Sequence, residues 1–239
     1  MKTPVLVSAH RRETPAAIRS AAALGADFVE FDVRRLRDGR FIVAHDQPAD
    51  APATHGASTA TELLGIDTLL DTLVELPGVG AHVDLKLGSP PRPDEVDGWL
   101  DVVGRAVDRL GAERVLVTTG RPVLAHALRG WARTRGVDLL VGLSVGTSLA
   151  GLRPRDAWRS LRAQLTPEGQ LEASGAGALC AHHVLALLRL RRLARRRGLR
   201  LIVWTVDSRL GLRWWTRPGA TWLVVTNDPE TALRRRDGR

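Results

Sequence analysis

A (β/α)8 barrel, the TIM-barrel α/β fold, with a β-hairpin after its second strand is what this 239-residue sequence predicts. Three observations lead there. Short apolar runs alternate with amphipathic stretches, the pattern of βα units around a parallel sheet. Nine runs read as strands, one more than a closed eight-stranded barrel holds. The second and third runs are separated only by residues 34–40, fewer than the roughly dozen residues a parallel crossover needs.

In chain order, the run at 5–9 is followed by a helical pattern at 15–24 and a second run at 28–33. Asp38-Gly39 signals a tight turn, so the third run, 41–44, returns antiparallel. Pairing outward from that turn sets Arg37 opposite Arg40 and Asp32 opposite His45. A helical pattern at 62–75 precedes the run at 82–87. Runs at 114–118, 139–143, 178–181, 201–206 and 222–226 then alternate with helical patterns at 93–110, 122–135, 155–164, 183–197 and 229–236. Setting the returning strand aside leaves eight parallel strands. An open doubly wound sheet competes, but the chain length and the missing Gly-rich phosphate loop favour the barrel. No linker divides the chain, which reads as one domain, 1–239, with a basic tail over about 234–239.

Composition narrows the function classes. With 44% hydrophobic and 26% charged residues the chain is not a disordered one. The single cysteine, Cys180, excludes an internal disulfide and a multi-cysteine zinc site. No stretch approaches the roughly 18 apolar residues of a membrane span, and the N-terminus lacks a signal-peptide pattern, so a soluble cytoplasmic protein is expected. The net charge of +9 favours anionic partners without choosing among nucleic acid, phosphate esters and acidic membrane. Of 35 basic residues only Lys2 and Lys86 are lysines, which makes the internal Lys86 stand out.

Glu30 and Asp32 lie two apart on a strand and share a face, while Val29, Phe31 and Val33 take the other. Two adjacent carboxylates pointing into a barrel are costly to ionise unless cations neutralise them. Asp84 and Lys86 repeat the spacing on the next parallel strand. Asp84 completes an oxygen-rich site suited to one divalent ion, Mg2+ or Ca2+, with Mn2+ a further candidate. Lys86 is placed to meet an anion there. The plainer alternative is a set of buried salt bridges, such as Asp84 with Lys86. His10 ends the first strand and His45 ends the hairpin return, so both approach the carboxyl face where barrel enzymes place their chemistry. Two imidazoles can divide acid and base roles near neutral pH, and Arg11 offers a planar fork for a phosphate oxygen.

Taken in order, these residues resemble the glycerophosphodiester phosphodiesterase family. The resemblance rests on His10-Arg11, the run Gly25-Ala-Asp-Phe-Val-Glu-Phe-Asp-Val33, Asp38-Gly39 leading to His45-Asp46, Asp84-Leu-Lys86, Trp204-Thr-Val206 and Thr226-Asn-Asp-Pro229. It implies a barrel fold and metal-dependent hydrolysis of glycerophosphodiesters to glycerol 3-phosphate and an alcohol. It implies His10 and His45 as general acid and base, Glu30, Asp32 and Asp84 as metal ligands, Arg11 and Lys86 as phosphate contacts, and Trp204 as a pocket wall. The departures lie on the rim. Arg12 stands where the family usually has glycine, only Glu13-Thr14 remains of a Glu-Asn-Thr signature, and an Arg-Thr-Thr signature after His45-Asp46 is missing. Asp207 stands for the usual asparagine and Asn227 for the usual aspartate. Retained chemistry on an altered or smaller substrate follows.

Two other functions compete. One is phospholipase-D-like activity on lysophospholipid or sphingolipid head groups. The other is a non-enzymatic basic protein binding RNA or anionic membrane, which gains nothing from three carboxylates. The partner expected is a small phosphodiester, with no specific nucleic acid and weak anionic-membrane contact. Residues 189–200 hold seven arginines and read as a solvated helix face. His182-His183 read as the start of a helix and Cys180 as a small core residue.

Overall fold

Proline opens five of the helices, at Pro15, Pro93, Pro122, Pro154 and Pro229. Its fixed φ suits a first turn, where an N–H has no partner to lose. The computed structural model describes residues 3–36, 38–45, 64–87, 91–146 and 153–238. Its strands are β1 (Leu6–Ala9), β2 (Phe28–Arg35), β3 (Phe41–Val43), β4 (Gly80–Lys86), β5 (Val115–Thr119), β6 (Leu140–Val145), β7 (Ala178–His182), β8 (Arg200–Trp204) and β9 (Leu223–Thr226). Between them run α1 (Pro15–Ala23), α2 (Ile66–Val74), α3 (Pro93–Leu110), α4 (Pro122–Arg135), α5 (Pro154–Leu165) and α6 (Glu168–Ser174). After β7, α7 (His183–Leu185) passes through a π-helical stretch, Ala186–Leu190, into α8 (Arg191–Arg196). The chain ends on α9 (Arg209–Trp215) and α10 (Pro229–Arg236).

Eight parallel strands close into a barrel, because β1 pairs with β2 on one side and β9 on the other. Helices cover the outside, so Val29, Phe31 and Val33 of β2 are fully buried against them. The inner face is filled low in the barrel by Leu116, Cys180, Ile202 and Leu223, with Phe28 and Trp222 packed beside them at 6.3 Å between ring centres. This filling lets the upper half be polar without opening the core to water.

Gly80 lies opposite Phe28 in the β2–β4 register. A Cβ at Gly80 would meet the Phe28 ring at 2.5 Å and the Arg114 carbonyl at 2.8 Å. The carbonyl belongs to the backbone and cannot rotate away. Gly80→Ala should therefore destabilise the protein by about 3 kcal/mol, read as a lower denaturation midpoint in urea. An unchanged midpoint would show that the barrel floor is looser than described.

The hairpin register differs from expectation by one residue. Val33 pairs with Val43 and Arg35 with Phe41, so Asp32 faces Ala44 rather than His45. The cause lies in the turn: Leu36 N–H donates to the Arg40 carbonyl, and Gly39 takes φ +90°, which lengthens the loop by one residue. The pairing of Arg37 lies outside the described residues, as do Asp46 and the rest of residues 46–63. Helices α6 and α9 were not expected from the sequence; both are seven residues long. Residues 234–236, expected to begin a tail, continue α10, and the Arg236 guanidinium reaches Asp27 at 2.7 Å.

Arginines of the basic stretch find local partners, among them Arg197 with Glu172 at 2.9 Å and Arg191 with the Ala220 carbonyl at 3.0 Å. That is the solvated helix face the sequence suggests. Cys180 is buried in the barrel, and His182 accepts the Val184 N–H at the start of α7. Among the described residues no helix is long and apolar enough to cross a membrane.

Candidate active site

Strand β2 organises the site because two chains share one of its edges. β1 runs up that edge from Phe28, and the chain beyond it continues until the Arg12 N–H donates to the Glu30 carbonyl at 2.7 Å. β3 runs down the same edge until the Ala44 N–H donates to the Asp32 carbonyl at 3.0 Å. The two chains meet head-on between Glu30 and Asp32. His10 and Arg11 arrive from one side, His45 from the other. Arg34 secures the second arrival: its guanidinium donates to the Ala44 carbonyl at 3.1 Å and the His45 carbonyl at 2.6 Å.

Glu30, Asp32 and Asp84 present one carboxylate oxygen each within 4.8 Å of the others. Glu30 and Asp32 are 3% and 1% exposed. Burial, with Asp32 and Asp84 close by, holds the Glu30 carboxyl well above its usual range. Burial also raises Asp32, against the pull of Lys86 and with the help of Asp84. Asp84 accepts the Thr118 hydroxyl at 2.8 Å. Among the described residues neither oxygen of Asp32 accepts a hydrogen bond of good geometry, although both are sealed from water and face Lys86 and His45 as ion-pair partners. Lys86 Nζ stands 3.3 Å from Asp32 and also bonds Asp84. Burial works against the lysine's charge, but Asp84 and Asp32 outweigh it and hold the ammonium protonated beyond the usual lysine value. One ammonium against three carboxylates leaves the cluster electron-rich. A largely buried cradle of carboxylate oxygens with more negative than positive charge fits a hard divalent cation.

His10 Nδ1 lies 2.9 Å from Asn227 Oδ1, and its Nε2 is 3.7 Å from Glu30. Burial lowers its pKa, while the Asn227 contact works the other way. His45 Nε2 is 3.8 Å from Asp32 and touches the Arg11 guanidinium. Arg11 takes φ +54°, a left-handed conformation that costs a side-chain-bearing residue about 1–2 kcal/mol. The strain turns its N–H onto Glu30 Oε2 at 2.8 Å while its side chain reaches His45. A cleft of about 580 Å3 opens above the cluster, lined by His10, Arg11, Glu30, Asp84, Lys86 and Trp204. Trp204 stands edge-on to His182, 5.6 Å between ring centres.

The structure thus brings together His10, Arg11, Glu30, Asp32, His45, Asp84, Lys86 and Trp204. It also adds four that sequence reasoning did not assign. Thr118 stands beside Asp84 on the next strand and His82 lies beneath it: His82 bonds Thr118 at 3.1 Å and Ser8 at 3.3 Å, and complete burial lowers its pKa to about 4. His82 occupies the same face as Asp84 and Lys86 at the same two-residue spacing, a signal present in the sequence. Asn227 and Asp207, read there only as rim departures, bond each other and approach His10.

A family model described as the glycerophosphoryl diester phosphodiesterase family matches residues 7–231. Among solved structures, the chain is similar to a glycerophosphodiester phosphodiesterase from Parabacteroides distasonis, with 18% identity, coverage of 100% of this chain and 99% of that one, and a TM-score of 0.71. It is similar to a glycerophosphodiester phosphodiesterase from Agrobacterium tumefaciens at 18% identity, covering 98% and 100%, with a TM-score of 0.61. A phosphodiesterase from Oleispira antarctica, solved in complex with the product sn-glycerol-3-phosphate, aligns at 15% identity over 98% and 97% with a TM-score of 0.65. The search of curated proteins gave no match.

Proposed function

The chain belongs to the glycerophosphoryl diester phosphodiesterase family, and from that premise we propose that it hydrolyses small glycerophosphodiesters to glycerol 3-phosphate and an alcohol, with His10 and His45 exchanging protons and a divalent cation held by Glu30, Asp32 and Asp84. The observation that carries the reading is the meeting of two histidines over a cluster of three carboxylates, two of them buried. The product bound in the Oleispira antarctica relative supports the substrate class. When bound, the cation supplies Lewis-acid polarisation of a phosphoryl oxygen. The all-oxygen donor set favours Mg2+ or Ca2+, with Mn2+ as the third candidate.

The chain's own residues do the rest. Lys86 and Arg11 set fixed positive charge at the cleft wall, where it offsets the charge that builds on phosphoryl oxygens. One histidine removes a proton from the attacking hydroxyl, and the other hands a proton to the departing alcohol. Trp204 walls one side and limits the space for that alcohol.

A second reading, a phosphodiester borne by a lipid, is favoured by large apolar side chains exposed on helices that start at the barrel mouth. Trp158, Leu188 and Leu210, on three helical segments that follow β6, β7 and β8, are 67%, 66% and 79% exposed, and exposed apolar groups suit contact with acyl chains. One assay separates the readings. Glycerol 3-phosphate release is followed from glycerophosphocholine and glycerophosphoethanolamine, and choline release from lysophosphatidylcholine, with EDTA or added Mg2+, Ca2+ or Mn2+. Cation-restored glycerol 3-phosphate release is expected. Turnover of the lysolipid alone would favour the second reading, and no turnover of either by folded protein would overturn both.

A further inference from the structure

We propose that Asp207 and Asn227 form a hydrogen-bond relay that locks His10 as its Nδ1–H tautomer, so that His10 offers the Nε2 lone pair to the cleft and enters the reaction as the proton acceptor. The inference rests on the phosphodiesterase reading only for the word reaction; the tautomer follows from geometry. A carboxylate accepts hydrogen bonds and donates none. The side-chain nitrogen of Asn227 lies 2.7 Å from Asp207 Oδ2, so the amide NH2 faces Asp207. That fixes the amide oxygen toward His10, 2.9 Å from Nδ1. An oxygen at that distance is satisfied only if Nδ1 carries the hydrogen. A neutral imidazole has one N–H, so Nε2 is bare.

The relay is held from several directions. Asp207 Oδ1 accepts the Asn227 backbone N–H at 2.9 Å and the Thr226 hydroxyl at 3.2 Å. Burial disfavours its charge, yet the bonds from Asn227 and Thr226 outweigh it and keep the Asp207 carboxyl below its usual range. Arg12 donates to the Asn227 carbonyl at 3.2 Å. The His10 N–H donates to the Thr226 carbonyl at 2.9 Å, tying the histidine to the same segment. Asp207 and Asn227 are positioning residues, since they act through His10. A neutral amide at Nδ1 holds the ring without forming an ion pair with the imidazolium that develops, and the carboxylate behind it polarises the amide oxygen.

In the reaction, Nε2 of His10 takes the proton of the attacking hydroxyl as the new oxygen–phosphorus bond forms. The phosphorus–oxygen bond to the alcohol breaks, and that oxygen takes its proton from His45 as the ring turns away from the Arg11 guanidinium. The enzyme's proton count is unchanged across the step.

The test is the 15N spectrum of the histidine rings at neutral pH in the wild-type protein, with His10→Gln identifying the His10 signals. A pyrrole-like Nδ1 and a pyridine-like Nε2 are expected. Asp207→Ala should mix the tautomers and lower kcat on the order of 10- to 100-fold with KM little changed, while circular dichroism confirms the fold. Asn227→Asp alone sets two carboxylates against each other and should behave similarly. The double exchange Asp207→Asn/Asn227→Asp restores a donor facing an acceptor at each contact and should recover tautomer and turnover. A proton on Nε2 in the wild type, or unchanged kcat and tautomer in Asp207→Ala, would overturn the relay. An Nδ1–H tautomer in a protein that hydrolyses no phosphodiester would sustain the relay and sink the assigned function.

Discussion

Exchanging His45 for glutamine should lower kcat about a thousandfold while the melting temperature stays within about two degrees of wild type. The loss is large because His45 stands with His10 over the carboxylate cluster, 3.8 Å from Asp32. The stability change is small because the side chain is 34% exposed. It lies beyond the three residues of β3, a strand that is not one of the eight that close the barrel. Arg34 grips the backbone carbonyl of His45, not its ring, so the substitution leaves that clamp in place. Steady-state kinetics beside calorimetry checks both halves. Near-normal turnover would remove His45 from proton transfer, and a large drop in melting temperature would mean the ring is structural.

The second large effect has opposite signs for activity and stability. Asp32→Asn should abolish turnover, by about a thousandfold or more, yet raise the melting temperature of the protein in EDTA by a few degrees, roughly what 1 kcal/mol gives in a chain of this size. Asp32 is buried, neither of its oxygens accepts a hydrogen bond of good geometry among the described residues, and burial raises its pKa despite the Lys86 ammonium 3.3 Å away. A carboxyl whose pKa is higher folded than unfolded, where it is near 3.8, costs no stability well below that pH. Its penalty is in force at neutral pH. Removing the charge removes the penalty. Added divalent cation should raise the wild-type melting temperature and leave the variant's unmoved. Thermal scans in EDTA and in each cation decide it. A variant that melts lower in EDTA and still responds to cation would show that Asp32 is not a ligand.

Period-two spacing made the centre of the site legible. Glu30 with Asp32 and Asp84 with Lys86 alternate with apolar neighbours, and neighbouring parallel strands bring such pairs into register without further information. The barrel was legible for a related reason, since the count of apolar runs and one short loop exclude most other arrangements. What escaped depends on the third dimension or on local φ. The hairpin register turned on the positive φ of Gly39, and the presentation of Arg11 on its own left-handed backbone. Asn227 and His10 are separated by 217 positions, so nothing near either residue announces their bond. His82 shared the visible spacing, but a histidine within an apolar strand reads as packing until its bonds to Ser8 and Thr118 are seen. Helices α6 and α9, at seven residues, are too short to show a helical period.

The hairpin strand has a consequence for descent. One of the two histidines follows the appended strand β3, while its partner follows β1 and all three carboxylates lie on β2 and β4, strands that close the barrel. A lineage can therefore rebuild or lose the appendage by ordinary drift, falling silent or changing its reaction, without wagering the scaffold. The barrel's stability and the chemistry of His45 are thus separable, so change confined to β3 alters the reaction before it alters the fold.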